Sequence, residues 1–156
     1  MGTFAANSLG NRQNYGTVDT YEGVGATVHT TGIKNTLVVE FDYANLPTFS
    51  AVYQDIPAIP ADSLITAAYL HVETAAAGGT SYNIGLYTAA GVAIDADGID
   101  AGVLTAALTE DAWIVNDGDL VGATIGATAG QVVVAATGTF TAGEYMLIIE
   151  YISPRA

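Results

Sequence analysis

The sequence predicts an all-β fold: a single antiparallel β-sandwich or jelly roll carrying an extended N-terminal arm. Three observations support this. Apolar and polar residues alternate over short runs, the period of two expected of half-buried strands. Glycine-centred turns at Gly78-Gly79, Ala90-Gly91, Asp97-Gly98, Asp117-Gly118, Thr137-Gly138 and Ala142-Gly143 punctuate those runs. Only Ile99–Leu108 has a helical look, and Gly102 weakens it there. Short strands between glycine turns are the pattern of sandwiches and jelly rolls.

The chain has 156 residues, the size of one domain. Residues 1–33 are rich in Asn, Gly and Thr, with sparse apolar positions until Val24. They read as an extended arm, or alternatively as a first edge strand around Ala26–Thr31 behind a frayed tail. Residues 34–156 form the body. Leu37, Val39, Phe41 and Tyr43 alternate with Val38, Glu40 and Asp42, and Pro47 ends that run. Phe49–Tyr53 is a short candidate strand, after which Pro57 and Pro60 impose an extended connection. Along Leu64–Thr74, Ala68, Leu70 and Val72 share one face, and Tyr69, His71 and Glu73 the other. Gly78-Gly79 then leads into Ser81–Thr88, a pairing with the look of a hairpin. Trp113–Val115, Gln131–Ala136 and Tyr145–Ile152 are rich in β-branched or aromatic residues. The last is apolar on both faces and so is expected at the centre of a sheet.

Charge divides the chain unevenly. Fourteen of its sixteen carboxylates lie between Asn35 and Pro154, a span without lysine or arginine; the cations are Arg12, Lys34 and Arg155. A field of this sign repels nucleic acid and anionic lipid. There is no cysteine, which excludes disulfides, thiolate catalysis and cysteine metal sites. The first residues lack a basic stretch followed by an apolar run, so no signal peptide is expected. No apolar run approaches a membrane helix in length.

Catalytic motifs are absent. Neither Gly-x-Ser-x-Gly nor a phosphate-cradling glycine loop with its lysine occurs. His29 and His71 are too few for a zinc site without cysteine. Paired carboxylates of the glycosidase kind meet in space rather than in sequence, and the sequence alone singles out no pair. Asp95-Ala96-Asp97-Gly98-Ile99-Asp100 groups three carboxylates around a glycine. An EF-hand needs glycine at its sixth position and glutamate at its twelfth; here glycine is fourth and Ala106 stands twelfth. What remains is a weak non-EF cation candidate at Asp95, Asp97 and Asp100, or a plain acidic turn. Asn116-Asp117-Gly118-Asp119 is a second acidic turn. The nine tyrosines and Trp113 suit either subunit contacts or a sugar platform, with Tyr69 and Tyr87 as stacking candidates.

Several phrases resemble small virion proteins of tailed bacteriophages. They are Ile59-Pro60-Ala61-Asp62, Leu64-Ile65-Thr66, Leu70-His71-Val72, Ala77-Gly78-Gly79-Thr80-Ser81 and Ile84-Gly85-Leu86. Ala93-Ile94-Asp95-Ala96-Asp97-Gly98-Ile99-Asp100, Phe140-Thr141-Ala142-Gly143 and Ile148-Ile149-Glu150-Tyr151 continue the likeness, which spans about residues 57–152. The resemblance is one of texture and short phrases. It implies a capsid decoration (cement) protein, without enzymatic activity or cofactor, made in the host cytoplasm and found on the outer capsid surface. Its implied partners are the major capsid protein and copies of itself, as a homotrimer, with no direct contact to nucleic acid or membrane. Arg12, Lys34 and Arg155 are the candidate contacts to capsid carboxylates. The alternative expectation is a glycan-binding module of a phage fibre or secreted surface protein, and a calcium-stabilised surface module is a third.

Overall fold

The computed structural model describes the backbone of residues 11–15 and 25–31, and residues 34–49 and 56–154 in full. Nine strands are described: β1 (Asn11–Tyr15), β2 (Gly25–Thr31), β3 (Lys34–Asp42), β4 (Leu64–Gly78), β5 (Ser81–Tyr87), β6 (Ala93–Leu104), β7 (Trp113–Asn116), β8 (Gln131–Thr137) and β9 (Phe140–Ile152). They form two antiparallel sheets, one of six strands in the order β1-β2-β3-β9-β4-β7 and one of three in the order β6-β5-β8. The all-β sandwich is as expected, with its strands divided six against three.

The core lies between the sheets. Leu37, Val39, Leu70, Val72, Leu147 and Ile149 project from the larger sheet, and Tyr82, Ile84, Leu86, Val132 and Val134 from the smaller. These are the alternate positions of each strand, as a period of two requires. An aromatic group closes one end. Tyr82 stacks on Phe140 at 4.1 Å and meets Tyr145 edge-on at 5.4 Å, while Phe41 lies 5.2 Å from Tyr145. The Tyr82 hydroxyl donates to that of Tyr145 (3.4 Å) inside this group. β9 lies at the centre of the six-stranded sheet between β3 and β4, where its two apolar faces predicted it.

Three sequence expectations are corrected. β4 and β5 are not a hairpin: β4 pairs with β9 and β7, and β5 with β6 and β8. Gly78-Gly79 instead carries the chain from one sheet to the other. Alternation cannot separate these cases, because both strands turn an apolar face toward the same core. The crossing needs glycine: φ is +70° and +60°, and a Cβ on Gly79 would sit 2.2 Å from the Phe140 ring. Next, Ile99–Leu108 is not helical. β6 continues to Leu104, and only Thr105–Ala107 winds into a single 3-10 turn. Pairing of Val103 with Tyr82, and burial of Ile99 and Val103, override the local preference. Finally, Asp95–Asp100 is not a free turn but part of β6, a strand whose register against β5 shifts at three points.

Within the segment read as an arm, β2 pairs along β3 and β1 along β2, so these two stretches extend the large sheet. The strand reading of Ala26–Thr31 coincides with β2. In the candidate strand Phe49–Tyr53, Phe49 is a bend, and residues 50–55 lie outside the described residues.

Candidate interaction surface

The six-stranded sheet turns its inner face to the core and its outer face to solvent. An exposed face of an antiparallel sheet is ordinarily polar. This one is apolar through its middle. The register aligns Val38, Ile148, Tyr69 and Val115 in a row across β3, β9, β4 and β7. The adjacent row runs Glu40, Met146, His71 and Trp113. Trp113 is 58% exposed and Val115 70%, while Val38, Tyr69, His71, Met146 and Ile148 are half-buried by their neighbours. The His71 ring lies 4.5 Å from that of Trp113, which fixes the indole against the sheet.

β-Branched and aromatic side chains build this face for the same reason that they build strands: they pack laterally on a pleated surface. Their exposure is what calls for explanation, because contiguous apolar patches mark contact surfaces whereas isolated ones do not. Val92 (63% exposed) and Leu104 (59% exposed) stand apart from this row and belong to the isolated kind.

One end of the face is acidic. Glu40, Asp42, Glu73 and Glu144 line a shallow depression of about 160 Å³ floored by Phe41 and Tyr145. The Thr74 hydroxyl donates to Glu144 (2.7 Å) at its margin. At the opposite end Lys34 forms an ion pair with Glu150. Apolar contact in the middle and negative charge at one end make a surface suited to a protein partner with basic residues at its margin.

Of the residues singled out in the sequence, Lys34 stands on this sheet and is engaged with Glu150. Arg12 lies in β1 opposite His29, its side chain outside the described residues, as is the whole of Arg155. Nothing described brings the three cations together. Among the described residues no three His, Asp or Glu side chains gather to hold a metal, Asp95, Asp97 and Asp100 included. Asp95 accepts from the Asp97 backbone N–H (3.3 Å), Asp97 is exposed, and Asp100 is buried. Tyr69 and Tyr87 do not stack, since they stand on different sheets.

The sequence singled out Tyr69 and Trp113 as contact candidates but not Val38, Val115, Met146 or Ile148, although the signal was present. Tyr145–Ile152 is apolar on both faces because one face is core and the other is this surface. In Trp113-Ile114-Val115-Asn116 the larger and more apolar pair faces outward.

No protein-family model matches the chain, and no curated protein matches it in sequence. Among solved structures, a chain of the cyanophage Pam1 capsid asymmetric unit overlays with a TM-score of 0.45 at 18% identity, across 99% of this chain and 93% of the other. So shallow an overlap carries no functional argument.

Proposed function

We propose that this chain is a non-enzymatic structural protein of a tailed-phage virion. It decorates the outside of the capsid and stabilises it by binding the major capsid protein, and it does so as a homotrimer. The observation that carries this reading is the apolar outer face of the six-stranded sheet, with Trp113 and Val115 largely exposed on it. A face of this kind is stable in isolation but gains free energy when covered, at about 25 cal/mol per Å² of apolar area.

Two further features support it. The phrase-level resemblance to phage virion proteins spans about residues 57–152. The body between Asn35 and Pro154 has no lysine or arginine, so it has no affinity for packaged DNA, while its acidic end suits a basic margin on the shell. Weak contacts repeated by symmetry hold firmly, because each engaged copy raises the effective concentration of the next. The glycan-binding alternative, which rested on the tyrosines, Trp113 and the β-sandwich, loses only the Tyr69–Tyr87 stack.

The test is sedimentation of the purified full chain, alone and with empty expanded capsids of its own phage. The expected result is a trimer that co-sediments with the shells at micromolar concentration. A monomer that leaves the shells bare overturns the reading, and hits on a glycan array without capsid binding would favour the carbohydrate module.

A further inference from the structure

The two acidic motifs of the sequence, Asp95–Asp100 and Asn116–Asp119, meet at one side of the sandwich. β6 borders the smaller sheet and β7 the larger. Two backbone bonds clip the segment after β7 onto β6: Gly118 N–H to Ile99 C=O (2.9 Å) and Leu120 N–H to Gly98 C=O (2.8 Å).

Asp100 is only 8% exposed. Burial raises its pKa, the carboxylate of Asp117 raises it further, and the Ala101 backbone N–H donates to it. A buried carboxylate beside a second carboxylate is relieved by a proton or by a positive charge. The chain from Asn35 to Pro154 offers no lysine or arginine, and Lys34 is engaged with Glu150 on the far face of the large sheet.

Asn116 supplies an independent observation. It is 1% exposed, and both its Oδ1 and Nδ2 are buried without a hydrogen-bond partner. Along β7, Trp113 and Val115 face outward while Ile114 and Asn116 face inward. The Asn116 amide therefore points between the sheets, just before the segment that is bonded to β6, while Asp117, next in sequence, is exposed. A buried amide with neither end satisfied is rare and bears its full desolvation penalty.

We propose that Asp100, Asp117 and the Asn116 Oδ1 bind a divalent cation, calcium by preference. Hard oxygen donors select calcium or magnesium, and calcium tolerates the irregular geometry of a bulged strand and a loop. These three residues supply three of the six to eight oxygens calcium takes, and water completes the set. A site with two carboxylates falls in the weak class, with Kd of about 10⁻⁴–10⁻³ M. The bound ion ties the two border strands together across the open side of the sandwich. It shares Asp100 with the sequence candidate but replaces Asp95 and Asp97 with Asn116 and Asp117. The inference does not depend on the capsid reading.

The experiment is thermal unfolding of the full chain in chelator and in calcium at about ten times the expected Kd, at physiological ionic strength. Wild type is expected to gain roughly 3–6 °C. Asp117→Asn and Asp100→Asn should lose that gain, whereas Asp119→Asn, in the same loop but outside the site, should keep it. In chelator Asp100→Asn should melt no lower than wild type, which shows that the variant folds. Magnesium should give a smaller shift than calcium. No shift in wild type overturns the proposal. So does a shift that persists in both Asp100→Asn and Asp117→Asn, because it would then be general screening of an acidic protein.

Discussion

Replacing Val115 with aspartate separates the outer face's role in docking from any role in folding. Val115 is 70% exposed, so about 30% of its burial is already realised in the isolated chain. Full burial of a valine is worth about 1.5–3 kcal/mol, which leaves about 1–2 kcal/mol to be gained when a partner covers it. Aspartate forfeits that gain and places a carboxylate inside a contact. The side chains around it, Tyr69 and Trp113, offer no compensating cation. Desolvating an unpaired carboxylate adds several kcal/mol, so docking should weaken by more than about 3 kcal/mol, roughly a hundredfold or more. The isolated fold loses about 0.5–0.9 kcal/mol of burial and up to about 1 kcal/mol of strand preference, which leaves it folded. The assay is co-sedimentation with empty shells, paired with a thermal melt. Val92→Asp is the control: it makes the same chemical change at a 63% exposed valine in the β5–β6 turn, away from the face. Equal binding by wild type and Val115→Asp, or equal loss by both variants, would refute the assignment of the outer face.

Three other outcomes follow from the same structure. Burial and their mutual hydroxyl contact hold Tyr82 far above the ordinary tyrosine range, and burial raises Tyr145 as well. Above pH of about 10 the unfolded chain releases protons that these two retain when folded, so their contribution is intact below that pH and lost above it. Chemical denaturation should show stability falling above pH of about 10, with the ultraviolet signal of these tyrosinates appearing only as the chain unfolds; ionisation within the folded state would contradict this. Gly79→Ala should destabilise by more than about 2 kcal/mol, since it combines positive φ with a collision against Phe140. Gly102→Ala, at φ +77° with open space around it, should cost only about 1–2 kcal/mol; equal melting temperatures would contradict the packing account. Trypsin should leave the Lys34–Asn35 bond intact in the native protein, because Lys34 is paired with both Thr31 and Ile152. Rapid cleavage there, read by mass spectrometry, would show that the β2–β3 pairing opens readily.

Strand content and the inner faces were legible in the sequence because a period of two is a local property. Leu37-Val39-Phe41 and Ala68-Leu70-Val72 declare their faces without reference to any neighbour. The central place of Tyr145–Ile152 was legible too, from its two apolar faces, although only one of them is core and the other is the outer surface. Sheet membership was not legible. Leu64–Gly78 and Ser81–Tyr87 read as a hairpin although they stand on opposite sheets, because alternation records which residues are buried and not which strand lies alongside. The helical look of Ile99–Leu108 gave way for a similar reason: its ladder partner, Ser81–Tyr87, supplies bonds that no local window contains.

Composition and alternation alone specify an all-β domain, acidic and without lysine or arginine from Asn35 to Pro154, with no recognisable catalytic motif. Charge, composition and alternation are properties of the chain whatever its path. The fold alone puts Val38, Ile148, Tyr69 and Val115 in one row and clips the segment after β7 onto β6 near Asp100. The first grouping joins residues far apart in the chain and the second brings β6 against the segment after β7; strand register and the stacking of two sheets do both.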